Sequence, residues 1–191
     1  MLPTSRRRCV EGYAIVSQDG MLANAAGVMP ASLMLEADQR FFEHGLDSVD
    51  VVVHGRHSHE RQPRSALRRR LILTRQVAGL AADPSGAKAL FWNPAGASFE
   101  QALAAIGTPN ERVGVIGGTD VFERFLDHYE VFHLSRAPNV QLPGGRPVFS
   151  EVPTRTPEEV LAAHGLHPGQ PQMLDAATGL AVVSWLRSSG P

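Results

Sequence analysis

Three stretches of this chain combine residue types that chemistry uses. The first is Val113-Gly114-Val115-Ile116-Gly117-Gly118-Thr119-Asp120-Val121-Phe122, an apolar run that ends in two glycines and passes at once into an amphipathic segment. Such a run reads as a buried strand turning tightly into a helix. Glycine there lets backbone approach a ligand, and the unpaired N–H groups of a helix start suit a phosphate or pyrophosphate. The residues do not spell G-x-G-x-x-G, so a plain glycine turn between strand and helix fits them as well. The second stretch is His54-Gly55-Arg56-His57-Ser58-His59. Arg56 offers a planar fork of donors, and Ser58 a hydroxyl and an N–H that could bind the same anion. The third is Thr74-Arg75, closing the run Leu71-Ile72-Leu73, where a second arginine could meet another phosphate.

Two arginines on neighbouring strand ends suit the additional charge of NADPH over NADH. Each could equally be a surface arginine at a strand end. His54, His57 and His59 crowd six positions, yet His57 and His59 stand at i, i+2 and no H-E-x-x-H pattern or carboxylate pair completes a metal site. Solvated loop histidines, and no metal, are the expectation. Asp38 precedes the Phe41-Phe42 pair on a helical stretch, so a half-buried carboxylate beside aromatic rings is one reading and a solvated helix acid the other. Burial of that kind would prepare it for proton transfer or for binding an amidine-like group. The run Arg68-Arg69-Arg70 divides the same way, between a solvated edge and a carboxylate site with Arg68 and Arg70 on one side.

These residues need a scaffold, and the hydrophobic pattern supplies one. Strands are expected at Tyr13–Gln18, at 50–54, at 71–74, at 89–92, before Gly117, at 131–135 and at 181–186. Residues 20–32 read as a long loop. Helices are expected from Leu33 to Gly45, with Gly45 as its stop, from Phe99 to Ile106 with Ser98 as its cap, after Gly118, and near 157–163. Alternation of this kind points to an α/β fold: three layers, with a central mixed, mostly parallel sheet flanked by helices. Ligands of such sheets bind at the carboxyl ends of the strands, where the loop after Gln18, the segment from His54, Thr74-Arg75 and the glycine pair should all fall.

The chain has 191 residues, a net charge of −1 and 43% hydrophobic residues. That is enough for one domain with a real core, and the balance gives no argument for nucleic acid or membrane. The single cysteine, Cys9, cannot form an internal disulfide, which fits a cytoplasmic protein. Residues 1–10 read as a frayed extension and 11–191 as one domain. A homodimer is compatible with the sequence but nothing in it requires one.

From Tyr13 to about Val152 the ensemble resembles the dihydrofolate reductase family. Ala14-Ile15-Val16-Ser17-Gln18-Asp19-Gly20 is similar to its first strand and the start of its active-site loop, and Met29-Pro30 to the Met-Pro of that loop. Ala37-Asp38-Gln39-Arg40-Phe41-Phe42 resembles the helix that carries the acid and the aromatic wall of the pterin pocket. His54-Gly55-Arg56-His57-Ser58, Thr74-Arg75 and the glycine pair are similar to its cofactor segments. The resemblance implies NADPH as cofactor, held by Ala14, Arg56, His57, Ser58, Thr74, Arg75, Gly117, Gly118, Thr119, Asp120, Val121 and Phe122. It implies Asp38 as the group that binds and helps protonate a heterocycle, with the Ser135 hydroxyl beside it, and Phe42, Phe41 and Ile15 against the ring. Arg68 would receive a carboxylate of the substrate.

The chain departs from that pattern at Ala31, where the family keeps a tryptophan, at Phe122 for tyrosine, at 63–68, at 144–149 and in the tail after Pro153. The cofactor half is therefore nearer the family than the substrate half. The leading expectation is an NADPH-dependent reductase of a pterin-like heterocycle, with dihydrofolate as a candidate. The alternatives are a reductase of a ribosylated aminopyrimidine, as in riboflavin synthesis, and a nucleotide-binding module that has lost turnover, which the missing tryptophan favours.

Overall fold

The computed structural model describes residues 8–57, 64–84, 88–107 and 112–188. Strands β1 (Cys9–Val16), β2 (Met21–Ala23), β3 (Val51–Gly55), β4 (Arg69–Leu73), β5 (Leu80–Ala82), β6 (Ala89–Trp92), β7 (Arg112–Val115), β8 (Val131–Arg136), β9 (Arg146–Pro147), β10 (Leu166–Pro168), β11 (Gln172–Asp175) and β12 (Leu180–Arg187) alternate with helices α1 (Glu36–Asp47), α2 (Phe99–Ala105), α3 (Thr119–Arg124) and α4 (Pro157–Ala163). Ten strands form one sheet in the order β10-β12-β8-β1-β7-β3-β4-β6-β5, with β11 also on β12. The centre, from β8 to β6, is parallel, and the additions at both edges are antiparallel. This is the mixed, mostly parallel α/β sheet that the alternation implies.

Side-chain alternation assigns the layers. Val10, Val51, Val53, Leu71, Val113, Val115 and Phe132 are buried with Leu103 of α2, Phe122 of α3 and Leu161 of α4. Tyr13 and Val52 point the other way and pack with Leu46, Phe41 and Phe42 of α1. Among the described residues the α-helix on that second face is the one that carries Asp38. Helices α2 and α4 start as their sequences direct: Ser98 with Gln101, and Thr156 with Glu159, each form a reciprocal capping box.

Several boundaries differ from the sequence expectation. Cys9 and Val10 belong to β1, and Val10 is buried in the core, so these two residues are part of the domain and not of an extension. Helix α1 begins at Glu36 instead of Leu33, which lies in a short 3₁₀ turn. Gly45 does not stop it. The helix runs on to Asp47, and Gly45 is instead the place where α1 touches the sheet, since a Cβ there would lie 2.5 Å from the Tyr13 ring. The expected loop 20–32 contains β2, paired with β9. β2, β5 and β9 to β11 are two to four residues long and lack the continuous apolar run that marks β6 and β7, so they escape a sequence reading.

Candidate active site

The site begins where two pairings of β1 end at different places. On one side β1 stays paired with β8 up to Val16 and Arg136, but on the other its pairing with β7 stops at Gly12 and Val115. Beyond that point the β7 chain follows β3: the Ile116 N–H donates to Val53 O at 3.0 Å and the Gly55 N–H to Gly117 O at 2.8 Å. The sheet therefore opens between Ala14-Ile15 and Ile116-Gly117. Such a gap at the carboxyl ends of parallel strands is where α/β sheets take ligands.

Gly117 forms the far wall of the gap. Its φ of +106° is one that L side chains rarely adopt, and a Cβ there would lie 2.9 Å from the Phe122 ring. Both the backbone angle and the Phe122 ring therefore require glycine here. The Gly117-Gly118 peptide bond is cis, and Gly118 leads directly into α3. Strand order also unites the three cofactor segments of the sequence reading. Gly55 meets Gly117 as above, the Arg56 N–H donates to Leu73 O at 3.1 Å, and Thr74 follows Leu73. Arg56, His57 and Arg75 are exposed at these neighbouring strand ends. Arg56 Nη2 lies 3.1 Å from His57 Nε2, and Arg75 has no ion pair among the described residues.

Asp38 stands near the start of α1, half-buried, above the face of the sheet that carries Ile15 and Ser135, which are register partners. The sequence left its burial open, and the fold decides it. Loss of solvent raises the Asp38 carboxyl above its ordinary value, and a hydrogen bond with Ser135 offsets only part of that. A carboxylate of raised proton affinity, oriented by a hydroxyl, can bind a ring bearing N–H groups or carry a proton to one. Phe41 lies edge-on to His133 at 5.4 Å, and Phe42 edge-on to Tyr13 at 6.1 Å, so both rings brace α1 on the sheet.

Other residues of the sequence reading lie elsewhere or offer only backbone. Val121 and Phe122 point their side chains into the core, Phe122 at 5.4 Å from Phe132. Thr119 spends its hydroxyl on Pro147 O, Asp120 is exposed, and buried Thr74 accepts from the Gln76 N–H. Arg68 is at the amino end of β4, five residues and about 16 Å from the strand's ligand end. There Arg68 and Arg64 both pair with Asp47, each at 2.8 Å, beside a cavity of about 300 Å³. Asp47 is nine residues beyond Asp38, about 13 Å along the helix. Ser58 and His59 are outside the described residues. Among the described residues no three of His, Cys, Asp and Glu form a group that could hold a metal.

One cluster was missed. Glu11, 4% exposed, accepts from Tyr13 Oη at 2.6 Å and from Arg112 Nε at 3.0 Å, and His133 stacks on Tyr13 at 4.7 Å. Burial raises the Glu11 carboxyl, but hydrogen bonds from His133, Tyr13 and Arg112 outweigh it and hold it at about 2. The cluster underlies α1. A glutamate inside an otherwise apolar strand was the signal that could have found it.

No protein-family model matches the chain, and no curated protein matches its sequence. Solved structures do. A protein of Shewanella sp. PV-4 assigned to riboflavin biosynthesis superposes with a TM-score of 0.65 at 18% identity, over 94% of this chain and 99% of that one. The diaminohydroxyphosphoribosylaminopyrimidine deaminase/5-amino-6-(5-phosphoribosylamino)uracil reductase of Thermotoga maritima gives 0.66 at 17% identity, over 97% of this chain and 58% of that one. The dihydrofolate reductase of Enterococcus faecalis, solved with NADP(H) and RAB-propyl, gives 0.61 at 16% identity, over 95% and 97%. The chain thus has the dihydrofolate-reductase-like fold, which these three proteins share. No helix among the described residues is long and apolar enough to cross a membrane.

Proposed function

We propose that this protein is an NADPH-dependent reductase that delivers hydride to a C=N carbon of a pterin-like or related nitrogen heterocycle. The observation that carries the reading is Asp38: a half-buried carboxyl, raised by burial and hydrogen-bonded with Ser135, on the same stretch of sheet as the gap at Gly117. A surface acid has no such environment. The residues present fit a nicotinamide dinucleotide. The gap between Ala14-Ile15 and Ile116-Gly117 would receive a flat ring, and exposed Arg56 and Arg75 supply bidentate donors for phosphates at adjacent strand ends. When bound, such a cofactor supplies the hydride. Asp38 would bind the N–H groups of the substrate ring and support protonation of the nitrogen next to the reduced carbon, with Ser135 fixing the carboxylate. Ile15 and Phe42 would flank the ring. The reading carries a cytoplasmic setting with it, in which Cys9 stays a thiol.

Two measurements test this. NADPH is expected to bind more tightly than NADH, with Arg75→Ala erasing the preference; equal binding of both by the unaltered protein overturns the assignment of the arginines. Loss of NADPH absorbance is then followed with dihydrofolate and with a ribosylated aminopyrimidine. Turnover of either that Asp38→Asn abolishes supports the reductase and selects the substrate class. Tight NADPH binding without oxidation by either substrate transfers the assignment to a nucleotide-binding module.

A further inference from the structure

Strand β1 enters the cleft with a partner on one side only. Its pairing with β7 ends at Gly12, and from Tyr13 to Val16 its one strand partner among the described residues is β8. Ala14 and Ile15, the near wall of the gap, therefore lie on a free strand edge, with no ladder across the gap to fix their distance from Ile116 and Gly117. What holds the end of this strand is a set of bonds beside and beyond Val16. The Ala137 N–H donates to Val16 O at 2.8 Å, and the Gln18 N–H to Val140 O at 2.7 Å. Arg136, the register partner of Val16, reaches round the strand end. Its Nη1 donates to Gln18 O at 2.7 Å and to Ser17 O at 3.2 Å, and its Nη2 to Glu158 Oε1 of α4 at 2.5 Å. One guanidinium serves all three because its donors form a planar, fixed fork. Asp19 adds a second tie, accepting from the Ser17 hydroxyl at 2.5 Å and from the Leu142 N–H at 3.0 Å. Arg136 follows Ser135, the partner of Asp38, so strand alternation points it to the opposite face, where α4 packs.

We propose that Arg136 is a positioning residue of the reductase cleft: with Glu158 it fastens the free end of β1, so that Ala14 and Ile15 keep a fixed separation from Ile116 and Gly117. The inference rests on the reductase reading above. It gives the tail after Pro153 a part in the site, since Glu158 holds the guanidinium from a helix beyond the stretch that resembles dihydrofolate reductases. Hydride transfer depends steeply on how the two reacting carbons are held, and a misplacement of about 1 Å can cost ~10²-fold in rate. The arginines assigned to the cofactor phosphates stand across the gap, after β3 and β4. Loosening the β1 wall therefore lowers kcat more than it raises KM for NADPH.

Arg136→Met removes the fork and keeps an apolar stem. Amide hydrogen exchange, followed by NMR, should then quicken at Gln18 and Ala137 by at least about tenfold, the factor that one hydrogen bond to a charged group is worth. The Glu130 amide, bonded to Val10 O at the opposite end of β1, should keep its rate. Arg136→Lys leaves a cation for Glu158 but not the planar fork, and should show the same change in smaller degree, so the test does not depend on one variant folding. In the NADPH assay Arg136→Met should lower kcat about tenfold or more, while KM for NADPH changes less than about threefold. Val160→Ala opens a cavity under α4 without touching the fork; it controls for stability lost in the tail and should keep kcat. Exchange needs no turnover. An unaltered protein without turnover would overturn the reductase reading, and with it the role in the cleft, while the exchange rates would still show whether Arg136 holds the strand. Unchanged exchange at Gln18 and Ala137 in both variants, a kcat that Arg136→Met leaves intact, or an equal loss of kcat in Val160→Ala would each overturn the assignment itself.

Discussion

Glu11→Gln is the perturbation whose size can be worked out most directly. In the folded chain the Glu11 carboxyl is held at about 2, against an ordinary 4.5. At ~1.36 kcal/mol for each tenfold change in proton affinity, that difference corresponds to roughly 3 kcal/mol. The Arg112 side chain is 49% exposed, so part of the attraction is screened and about 2 kcal/mol is the better expectation. The sign follows from the direction. A carboxyl depressed in the folded state contributes its full stability above the unfolded value and loses it as pH falls from there through about 2. Glutamine keeps an acceptor for Tyr13 but cannot ionise. Urea unfolding should therefore find Glu11→Gln less stable by about 2 kcal/mol at neutral pH, or about 6 °C in Tm, with the gap closing toward pH 2. Other depressed carboxyls, among them Asp19 and Asp47, titrate in both proteins and cancel in the difference. A gap of the same size at neutral and acid pH would refute the linkage. Because Tyr13 lies under Gly45 and beside Phe41 and Phe42, the variant is also expected to loosen α1 and raise KM for the substrate of the proposed reductase.

Asp38 should behave in the opposite sense. Its carboxyl is raised in the folded chain, so the stability linked to it is present below the unfolded value of 3.8 and is lost as pH rises through the higher folded one. Asp38→Asn is expected to melt higher than the unaltered protein at neutral pH, to match it below that value, and to have no turnover; a pH-independent difference in Tm would contradict the burial argument. Gly117→Ala must place a side chain at φ +106° and within 2.9 Å of Phe122, costing about 2–4 kcal/mol from backbone strain and overpacking together. Urea midpoints measure the loss, and Phe122→Leu in the same chain should recover only the packing share. A Gly117→Ala protein of unchanged midpoint that still binds NADPH would show that the turn does not need glycine.

Much of the fold was legible because it rests on local patterns. Val51-Val52-Val53 could only be a buried strand, the capping residues Ser98 and Thr156 start the helices they announce, and the alternation of strand and helix implied a parallel sheet. The gathering of Arg56, Thr74-Arg75 and the glycine pair was legible too, since strand ends in a parallel sheet fall on one edge and the motifs were already at those ends. Arg68 fell short as an open carboxylate receptor, since the far end of α1 brings Asp47 to it. The short strands of the edges, and Gly45 as a contact in place of a helix stop, were beyond reach because partners distant in the chain define them.

What the sequence determined by itself is therefore the order of elements and the residue types at their ends: the glycine pair after β7, Arg56 after β3, Arg75 after β4 and an acid on the first helix. Only the tertiary structure decided what those residues experience. The burial of Asp38 and its hydrogen bond with Ser135 depend on β8 lying beside β1, 97 residues away along the chain from one side chain to the other. The pairing of Arg136 with Glu158 depends on a tail that folds back to β8. Solvent exclusion and proton affinity are properties of assembled surfaces, and spacing along the chain does not encode them.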